Sequence, residues 1–219
     1  MLKIWGRTSS INVRKVLWTA QELGLPFEHI EAGGPFGRVR TPEFMALNPN
    51  ATVPLLEDDG TGNKTTTDHT PVTLWESNVI VRYLFASHAR EGDLAYPTDL
   101  RSRFMAEQWM DWQQTTLNPA GRDGFVQLIR TPEIQRDAAA IARSVAAVGP
   151  LLQLLDAHLS RQPFIGGDVF GMADIPVGCE MHRWFGLPLA RETLPHLDAW
   201  YAGLLARPAS RGVLDLELS

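Results

Sequence analysis

The sequence predicts an α/β domain followed by an all-α domain. In the first part of the chain, short apolar segments of strand length alternate with helical patterns. Beyond residue 98 the strand-like segments end, and only long amphipathic helical patterns follow. We therefore expect the α/β domain at residues 1–88, a linker at 89–98 and the helical domain at 99–219.

The chain opens with a strand, a helix and a second strand. Leu2–Trp5 is a short apolar strand, and the turn Gly6–Ser10 is rich in residues that cap helices. Apolar residues recur at helical spacing over Ile11–Leu23, and Gly24 ends this helix. A second strand is predicted at Leu25–Ile30. Because one short crossover connects the two strands, they should pair in parallel.

Two further strands and a helix complete this domain. A helical turn is predicted around Pro42–Met45, and strands are predicted at Pro54–Glu57 and Val72–Trp75. The polar segment Asp58–Pro71 between those strands predicts either a surface flap or, as we favour, a plain loop. With a helix at Asn78–Ala86, the order becomes β-α-β-β-α. That order is the thioredoxin-like topology.

The second half predicts only helices, so it should form a bundle. We expect helices at Leu100–Leu117, Ile134–Leu159, Asp174–Phe185 and Leu194–Leu205. Pro150 should kink or split the second of these.

Asp174 stands three residues after Gly171, which is the spacing of a capping box. Its carboxylate can reach back to the backbone N–H of Gly171 and hold the start of the helix. This motif is a folding signal and says nothing about substrate.

Composition excludes several classes of function. The chain has 219 residues, 44% of them hydrophobic and 21% charged, which is typical of a soluble globular protein. A net charge of −5 gives no reason to expect a nucleic acid or an anionic membrane as partner. The only cysteine, Cys179, excludes an intramolecular disulfide and a Cys-x-x-Cys pair. The start of the chain lacks the apolar run of a signal peptide, and we expect no membrane-spanning run, so we expect a cytoplasmic protein.

Two short motifs of the first domain point to ligand binding. Val53–Pro54 stands at the start of a strand, where proline is tolerated and a cis bond is possible. A cis bond would turn the main-chain groups of Val53 toward a peptide-like ligand, which could pair with them as an added strand. Glu76–Ser77 opens the following helix, whose N-terminus favours carboxylates.

The chain resembles the glutathione transferase family, in particular the bacterial serine-type branches similar to the nu and theta classes. The resemblance rests on four features in the family's order, with Gly171 where the family usually has Ser or Thr. They are the serine-rich turn before the first helix, Val53–Pro54, Glu76–Ser77 and the Gly171/Asp174 box. Further similar runs are Trp5–Arg7, Asn12–Val16 and Met110–Trp112.

The resemblance implies that the protein stabilises the thiolate of glutathione for attack on an electrophile. A hydroxyl at a helix N-terminus does this by hydrogen bonding and through the helix dipole. In the serine-type branches the catalytic serine directly precedes the helix, and that position is Ser10, with Ser9 as second choice. Thr8 and Asn12 lie in the same segment. No tyrosine or cysteine lies in this turn, so the tyrosine-type and thiol-exchange branches are not indicated.

The resemblance also implies how glutathione, the co-substrate, is held. Val53, followed by Pro54, would pair its main chain with the cysteinyl part. Ser77 would take the γ-glutamyl carboxylate, and Glu76 would favour the ammonium group. Arg40, and less directly Arg38, could face the glycyl carboxylate, and Thr52 could add a hydrogen bond. These roles are expectations that follow from the resemblance.

The electrophile pocket is expected between the domains, on the first helix of the second domain. Candidate residues are Trp109, Trp112, Thr116 and Phe125, although aromatic residues at helical spacing also suit a core. Arg122 and Arg130 could select anionic substrates or be solvent-exposed. The histidines show no metal-ligand spacing, so no metal is expected.

Two classes of function remain open at this point. The first is an enzyme that conjugates glutathione to small hydrophobic electrophiles for detoxification, or that uses the same thiolate for dehalogenation or peroxide reduction. The second is a non-catalytic ligand-binding or assembly module of the same fold. The presence of Ser10, Val53, Glu76 and Ser77 together favours the enzyme, because a non-catalytic module does not need these donors. The resemblance further implies a homodimer.

Overall fold

The computed structural model describes residues 1–61, 70–89, 96–97 and 99–219. The chain divides into two units, Met1–Thr98 and Asp99–Ser219. Most of the linker predicted at 89–98, and residues 62–69 of the loop predicted at 58–71, lie outside the described residues. The assignment of functions to the two domains stays a prediction.

The first unit contains a four-stranded mixed sheet. Its elements are β1 (Leu2–Trp5), α1 (Ile11–Glu22), β2 (Phe27–Ile30), α2 (Pro42–Leu47), β3 (Leu55–Asp58), β4 (Val72–Trp75) and α3 (Ser77–His88). The strand order is β2-β1-β3-β4, with β1 parallel to β2 and the other pairs antiparallel. The predicted thioredoxin-like order of elements is therefore confirmed, with boundaries shifted by one or two residues.

The register of the sheet brings four chain segments to one edge. Ile30, Trp5, Leu55 and Trp75 lie side by side across the four strands. The segments after β1, β2 and β4 and the segment before β3 therefore all meet at this edge. Neighbouring strands are about 4.8 Å apart, so side chains from these segments lie within reach of one small ligand.

Apolar side chains hold the two long helices of this unit on the sheet. α1 packs on α3. α1 buries Val16 and Trp18 completely, and α3 does the same with Leu84 and Phe85. A second, smaller cluster includes Phe44 of α2 and Val53. Burial of such side chains contributes about 1.5–3 kcal/mol each.

The second unit is helical, as predicted. It contains α4 (Leu100–Trp112), α5 (Asn118–Phe125), α6 (Ala138–Leu159), α7 (Asp174–Phe185) and α8 (Pro195–Leu205). The turn Gln113–Leu117 has π-helical hydrogen bonding and connects α4 to α5. α5 was not predicted because proline and two glycines lower its helix propensity. Packing compensates: α5 contacts α6, and Ser144 accepts a hydrogen bond from the backbone N–H of Gly124 at 2.9 Å.

Pro150 was expected to kink or split the long helix; the split is wrong, because α6 runs through Pro150 without a break, and the kink stays a prediction. Proline removes the donor for the carbonyl of Ala146, but both residues are exposed, so water can bond that carbonyl. The start predicted at Ile134 is also wrong. The helix begins at Ala138, where the Asp137 side chain accepts hydrogen bonds from the backbone N–H groups of residues 139 and 140.

α6 is apolar and long enough to cross a membrane by composition, with a mean hydropathy of 1.6 over its most apolar window. The expectation that no run reaches this length is therefore wrong. Its buried residues, among them Val148, Leu152 and Leu155, lie on one side of the helix, and α6 packs on α5 and α8. That pattern is typical of a core helix in a helical bundle.

The hydrogen bond expected between Asp174 and the backbone N–H of Gly171 is present, but α7 begins at Asp174 with Ala173 at the N-cap position, so the expected N-cap at Gly171 is wrong. Oδ2 of Asp174 accepts the backbone N–H of Gly171 at 2.9 Å, and its Oδ1 accepts the backbone N–H of Ile165 at 2.9 Å. Oδ1 also accepts the indole N–H of Trp200 in α8 at 2.8 Å. The carboxylate is completely buried, so it holds the loop before α7 to α8 as well as starting the helix.

Candidate active site

An open depression of about 260 Å³ lies in the first unit at the sheet edge. Residues from the segments after β1 and β2 and before β3 line it. They are Arg7, Ser10, Gly33, Gly34, Val39, Ala51, Thr52 and Val53. The structure thus brings together Ser10, Thr52 and Val53, three of the residues predicted for the site.

Gly6 allows the β1–α1 turn to approach Val53 closely. Its φ is +149°, and a Cβ at this position would lie 2.3 Å from a Val13 methyl group and 3.2 Å from the Val53 Cβ. The carbonyl of Gly6 is held by His29, whose Nε2 lies 2.7 Å away. Only a residue without a side chain fits here, and this contact sets Ser10 and Val53 around one depression.

Ser10 occupies the N-cap position of α1, with φ −86° and ψ 120°. Its hydroxyl does not cap the helix, and no described residue hydrogen-bonds to it. Ser9 is half-buried and does not line the depression. The side-chain carbonyl of Asn12 is buried and has no hydrogen-bond partner among the described residues. Of the candidate residues Thr8, Ser9, Ser10 and Asn12, Ser10 is the one that lines the depression, and its hydroxyl has no hydrogen-bond partner among the described residues.

Arg14 stabilises the turn between β1 and α1. This side chain is 4% exposed, and its Nε donates to the carbonyl of Thr8 at 2.7 Å. The backbone N–H of Ser10 also donates to the carbonyl of Arg7 at 3.0 Å. These bonds keep the segment before α1 in one conformation, and they leave the hydroxyl of Ser10 out of the network.

The Val53–Pro54 bond is cis. The main-chain N–H and C=O of Val53 have no hydrogen-bond partner among the described residues. Asn48, which is fully buried, holds the preceding turn: its amide donates to the carbonyl of Thr52 at 2.9 Å, and its Oδ1 accepts the backbone N–H of Asn50 at 3.0 Å. The main chain at Val53 is thus fixed in place and still able to bond a ligand.

Glu76 and Ser77 begin α3 as predicted, but they do not line the depression. Glu76 is exposed and has a positive φ of 74°, a conformation that costs about 1–3 kcal/mol and is found most often at functional sites. Ser77 is 4% exposed. Lys15 of α1, fully buried, places its ammonium 3.5 Å from the Ser77 hydroxyl and 3.3 Å from Oδ1 of Asn78. A cation therefore reinforces the positive end of α3.

Arg38 and Arg40 do not line the depression. Both are exposed, and Val39 between them contributes to the lining instead. Arg38 also has a positive φ of 67°. The structure therefore brings no side chain of these two arginines into the site, and the predicted role of Arg40 stays a prediction.

The residues predicted for the electrophile lie in and after α4. Trp109 and Trp112 are half-buried, with their rings 5.2 Å apart edge to face, and the Trp109 ring also lies 4.4 Å from that of His158. Thr116 is exposed in the π-helical turn. Turns of this type occur frequently at functional sites. Phe125 is 3% exposed and belongs to the helical core.

Three residues near the site were missed by sequence reasoning: Arg7, Lys15 and Asn48. Only Asn48 had a signal, because an Asx residue before proline favours a side-chain turn. Lys15 and Arg7 gain their positions from contacts with residues distant in the chain. Among the described residues, no group of three or more His, Cys, Asp and Glu side chains could hold a metal ion.

By its fold, the protein consists of a thioredoxin-like domain followed by a helical domain. Two family models match the chain, the glutathione S-transferase N-terminal domain over residues 9–87 and the C-terminal domain over 117–208. Glutathione S-transferase GstB of Escherichia coli is 42% identical over 219 residues, which is 100% of both chains. Glutathione S-transferase 4 of Zea mays is 28% identical and covers 97% of this chain and 91% of its own.

Solved structures agree with these relatives. The theta class glutathione S-transferase of Xanthomonas axonopodis pv. citri, with glutathione bound, has a TM-score of 0.89 and 44% identity, covering 100% of this chain and 99% of its own. A glutathione transferase of Burkholderia graminis, with two glutathione molecules bound per subunit, has a TM-score of 0.83 and 28% identity, covering 98% and 87%. The chain belongs to the glutathione S-transferase family, and it is an enzyme of that family.

Proposed function

We propose that the protein conjugates glutathione to small hydrophobic electrophiles and that Ser10 activates the thiol. The observation that carries this is the position of Ser10. It stands at the N-terminus of α1, its hydroxyl has no bonding partner among the described residues, and it lines the same depression as Val53. A thiol anchored at Val53 lies next to a hydroxyl donor and the positive end of a helix dipole.

Glutathione binds with its cysteinyl part paired to the main chain of Val53, in front of Pro54. Its γ-glutamyl carboxylate accepts hydrogen bonds from Ser77 and the first N–H groups of α3, where the buried ammonium of Lys15 adds charge. Glu76 faces the ammonium group of the same residue. Arg40 and Thr52 are assigned to the glycyl end, Arg40 by reaching in from its exposed position.

The chemistry requires a thiolate, because a cysteine thiol has a pKa of about 8.5 and is mostly protonated at neutral pH. A hydrogen bond from Ser10 and the dipole of α1 favour the charged form, so they lower the thiol pKa. The sulfur then forms a bond to the electrophilic carbon, and the leaving group departs with the bonding electrons. The thiol proton is released to solvent.

Calorimetric titration with reduced glutathione tests the binding half of this proposal. We expect one saturable site per chain. The Ser77→Ala variant should bind about ten- to hundredfold more weakly, because a hydrogen bond to a charged group contributes about 1.5–3 kcal/mol. Ser160→Ala, at an exposed hydroxyl after α6, should match the wild type. If the wild type shows no saturation at millimolar glutathione, the transferase function is wrong for this protein.

For the electrophile we retain Trp109, Trp112 and Thr116 as proposed contacts. Two half-buried indole rings, edge to face, provide apolar area, and Thr116 in the π-helical turn that follows has an exposed side chain. In this proposal the Trp112→Leu variant raises KM for an aromatic electrophile and leaves the Kd for glutathione unchanged. A change in the glutathione Kd alone would contradict it.

We further propose a cytoplasmic homodimer that serves detoxification. Reduced glutathione requires a reducing compartment, which agrees with a lone, buried Cys179. Each unit carries exposed apolar side chains that a second copy could cover, among them Val79 in the first unit and Leu100 and Phe104 in the second. Light scattering should give twice the mass of one chain, and a monomer at micromolar concentration would contradict the dimer.

A further inference from the structure

The second unit contains a depression of its own, with a volume of about 100 Å³. α6 and the end of α7 form two of its walls, and the segment 187–194 between α7 and α8 forms the third. All of its lining residues belong to the second unit, and the proposed reaction uses none of them. Most of the lining is apolar and comes from Val145, Leu152, Trp184, Leu189 and Leu194.

Trp184, in the last turn of α7, supplies a fixed aromatic surface to this depression. Its side chain is buried and packs on the bare backbone of α5. A Cβ on Gly121 would lie 3.2 Å from the Trp184 Cε3, and one on Gly124 would lie 3.5 Å from its Cζ3. Because α5 holds the indole ring in place, binding of a ligand against it does not include the entropy cost of ordering that side chain.

Gly149 leaves room in the wall that α6 provides. Beyond its chain neighbours and the backbone of its own helix, a Cβ at this position would meet no heavy atom within 4 Å. Glycine also suits the residue before Pro150, because a Cβ there disfavours the helical conformation. The glycine that helps α6 to continue through Pro150 therefore also widens the depression.

Two charged residues line this depression, and both are already paired. Nη1 of Arg191 donates to Oδ1 of Asp198 in α8 at 2.5 Å, and the guanidinium carbon lies 4.1 Å from the centre of the Phe185 ring in α7. Oε2 of Glu192 accepts a hydrogen bond from the side-chain amide of Gln153 in α6 at 3.0 Å. These contacts connect the segment 187–194 to all three helices, so the depression is preformed. A charged ligand would have to compete with these partners, whereas an uncharged ligand would not.

We propose that this depression is a second binding site, which takes one uncharged aromatic ring. In another protein, an apolar cavity of about 150 Å³ holds a molecule of benzene. A depression of about 100 Å³ that opens to solvent suits a ring of this size, with one edge left at the surface. The ring contacts the leucine and valine side chains and packs edge to face or offset on Trp184. The site does not depend on the proposed function, because glutathione and the electrophile are assigned to other residues.

Fluorobenzene is the probe for this site, because it has one uncharged ring and its fluorine nucleus reports binding directly. Titration of the full chain followed by fluorine NMR should show saturable binding with a Kd of about 1 mM. The charged analogue 4-fluorobenzoate should bind at least about tenfold more weakly, because its carboxylate would lose hydration without gaining a free partner.

Two substitutions on α6 fill the depression. Val145→Phe and Gly149→Leu each place apolar atoms where the probe would bind, so each should raise the Kd for fluorobenzene at least about tenfold. Leu154→Phe is the control, because Leu154 also lies on α6, is 44% exposed against 39% for Val145 and does not line the depression. Trp112→Leu should keep the wild-type Kd for fluorobenzene, which separates this site from the proposed electrophile contacts. Thermal unfolding checks that each variant is folded.

A weaker affinity in either filled variant, with both Leu154→Phe and Trp112→Leu unchanged, supports the second site. A wild type that shows no saturation would overturn the proposal, as would wild-type affinity in both filled variants. Weaker binding in Leu154→Phe or Trp112→Leu would also overturn it, because the probe would then bind elsewhere. Equal affinity for 4-fluorobenzoate would overturn the proposed ligand class. All of these results leave the proposed function intact, and absence of glutathione binding in the calorimetric titration leaves this inference intact.

Discussion

Replacing Ser10 with alanine should lower kcat/KM for conjugation about ten- to hundredfold while the Kd for glutathione changes little. A hydrogen bond to a charged group is worth about 1.5–3 kcal/mol, and each 1.36 kcal/mol is tenfold in rate. The main chain of Val53 and the N-terminus of α3 still hold the peptide. What is lost is the donor that favours the thiolate. Steady-state kinetics and calorimetry on the same preparation measure the two quantities.

The pH dependence gives this prediction a second readout. Without the hydroxyl, the pKa of the bound thiol rises toward its ordinary value of about 8.5. The deficit should therefore be largest below neutral pH and shrink as pH rises through the new pKa, where both enzymes hold a thiolate. Ultraviolet absorbance of the bound thiolate follows the same titration directly.

Ser9→Ala is the matched control, because Ser9 precedes Ser10 in the same turn and does not line the depression. We expect it to keep most of the activity, and Ser10→Thr, which restores a hydroxyl, to recover part of it. If Ser10→Ala retains wild-type kcat/KM and Ser9→Ala or Asn12→Ala does not, the thiol contact belongs to that residue.

The sequence could predict the features that depend on neighbours close in the chain. Apolar periodicity predicted β1, α1 and β4 within a residue. The predicted start of α1 at Ile11 placed Ser10 directly before the helix, as the structure has it. The spacing of Gly171 and Asp174 predicted a hydrogen bond that the structure contains. In each case the residues that determine the feature are close together in the chain, so the sequence pattern was sufficient to predict it.

The features it could not predict depend on distant partners. Lys15 looks like a solvent residue of α1, yet it is buried because it meets Ser77, 62 residues later in the chain. Arg7 becomes part of the site only because Gly33 and Gly34 leave room beside it. Pro150 predicted a kink or a split, and the split does not occur, because burial on either side holds α6 together and water reaches the exposed carbonyl.

Asp174→Ala should destabilise the protein by about 3–5 kcal/mol, the usual cost of breaking a buried polar network. Three donors lose their acceptor: the backbone N–H groups of Ile165 and Gly171 and the indole N–H of Trp200. Asp168→Asn, at an exposed carboxylate six residues earlier, is the control and should change stability by less than about 0.5 kcal/mol. Urea unfolding followed by circular dichroism measures both. A loss below about 1 kcal/mol would mean that water replaces the carboxylate.

Asp174→Asn separates the charge of this group from its shape. Burial raises the pKa of the Asp174 carboxyl to about 6, because the charged form loses its hydration, although three hydrogen bonds oppose this. The folded state therefore holds the proton more tightly than the unfolded chain, whose carboxyl has a pKa of about 3.9. The contribution of this group to stability is fully present below about pH 4 and is lost as pH rises through about 6.

The size of that loss is about 3 kcal/mol, since each unit of pKa difference corresponds to 1.36 kcal/mol. Asparagine cannot titrate, so the Asp174→Asn variant lacks this slope. Its Oδ1 can still accept the hydrogen bonds from Ile165 and Trp200. Its amide NH2 group replaces Oδ2, and because this group is a donor it cannot accept the backbone N–H of Gly171. The stability of the wild type relative to this variant should therefore be greatest near pH 4 and decline toward neutral pH. Parallel pH profiles would show that the carboxylate keeps its ordinary pKa and that its three donors outweigh its burial.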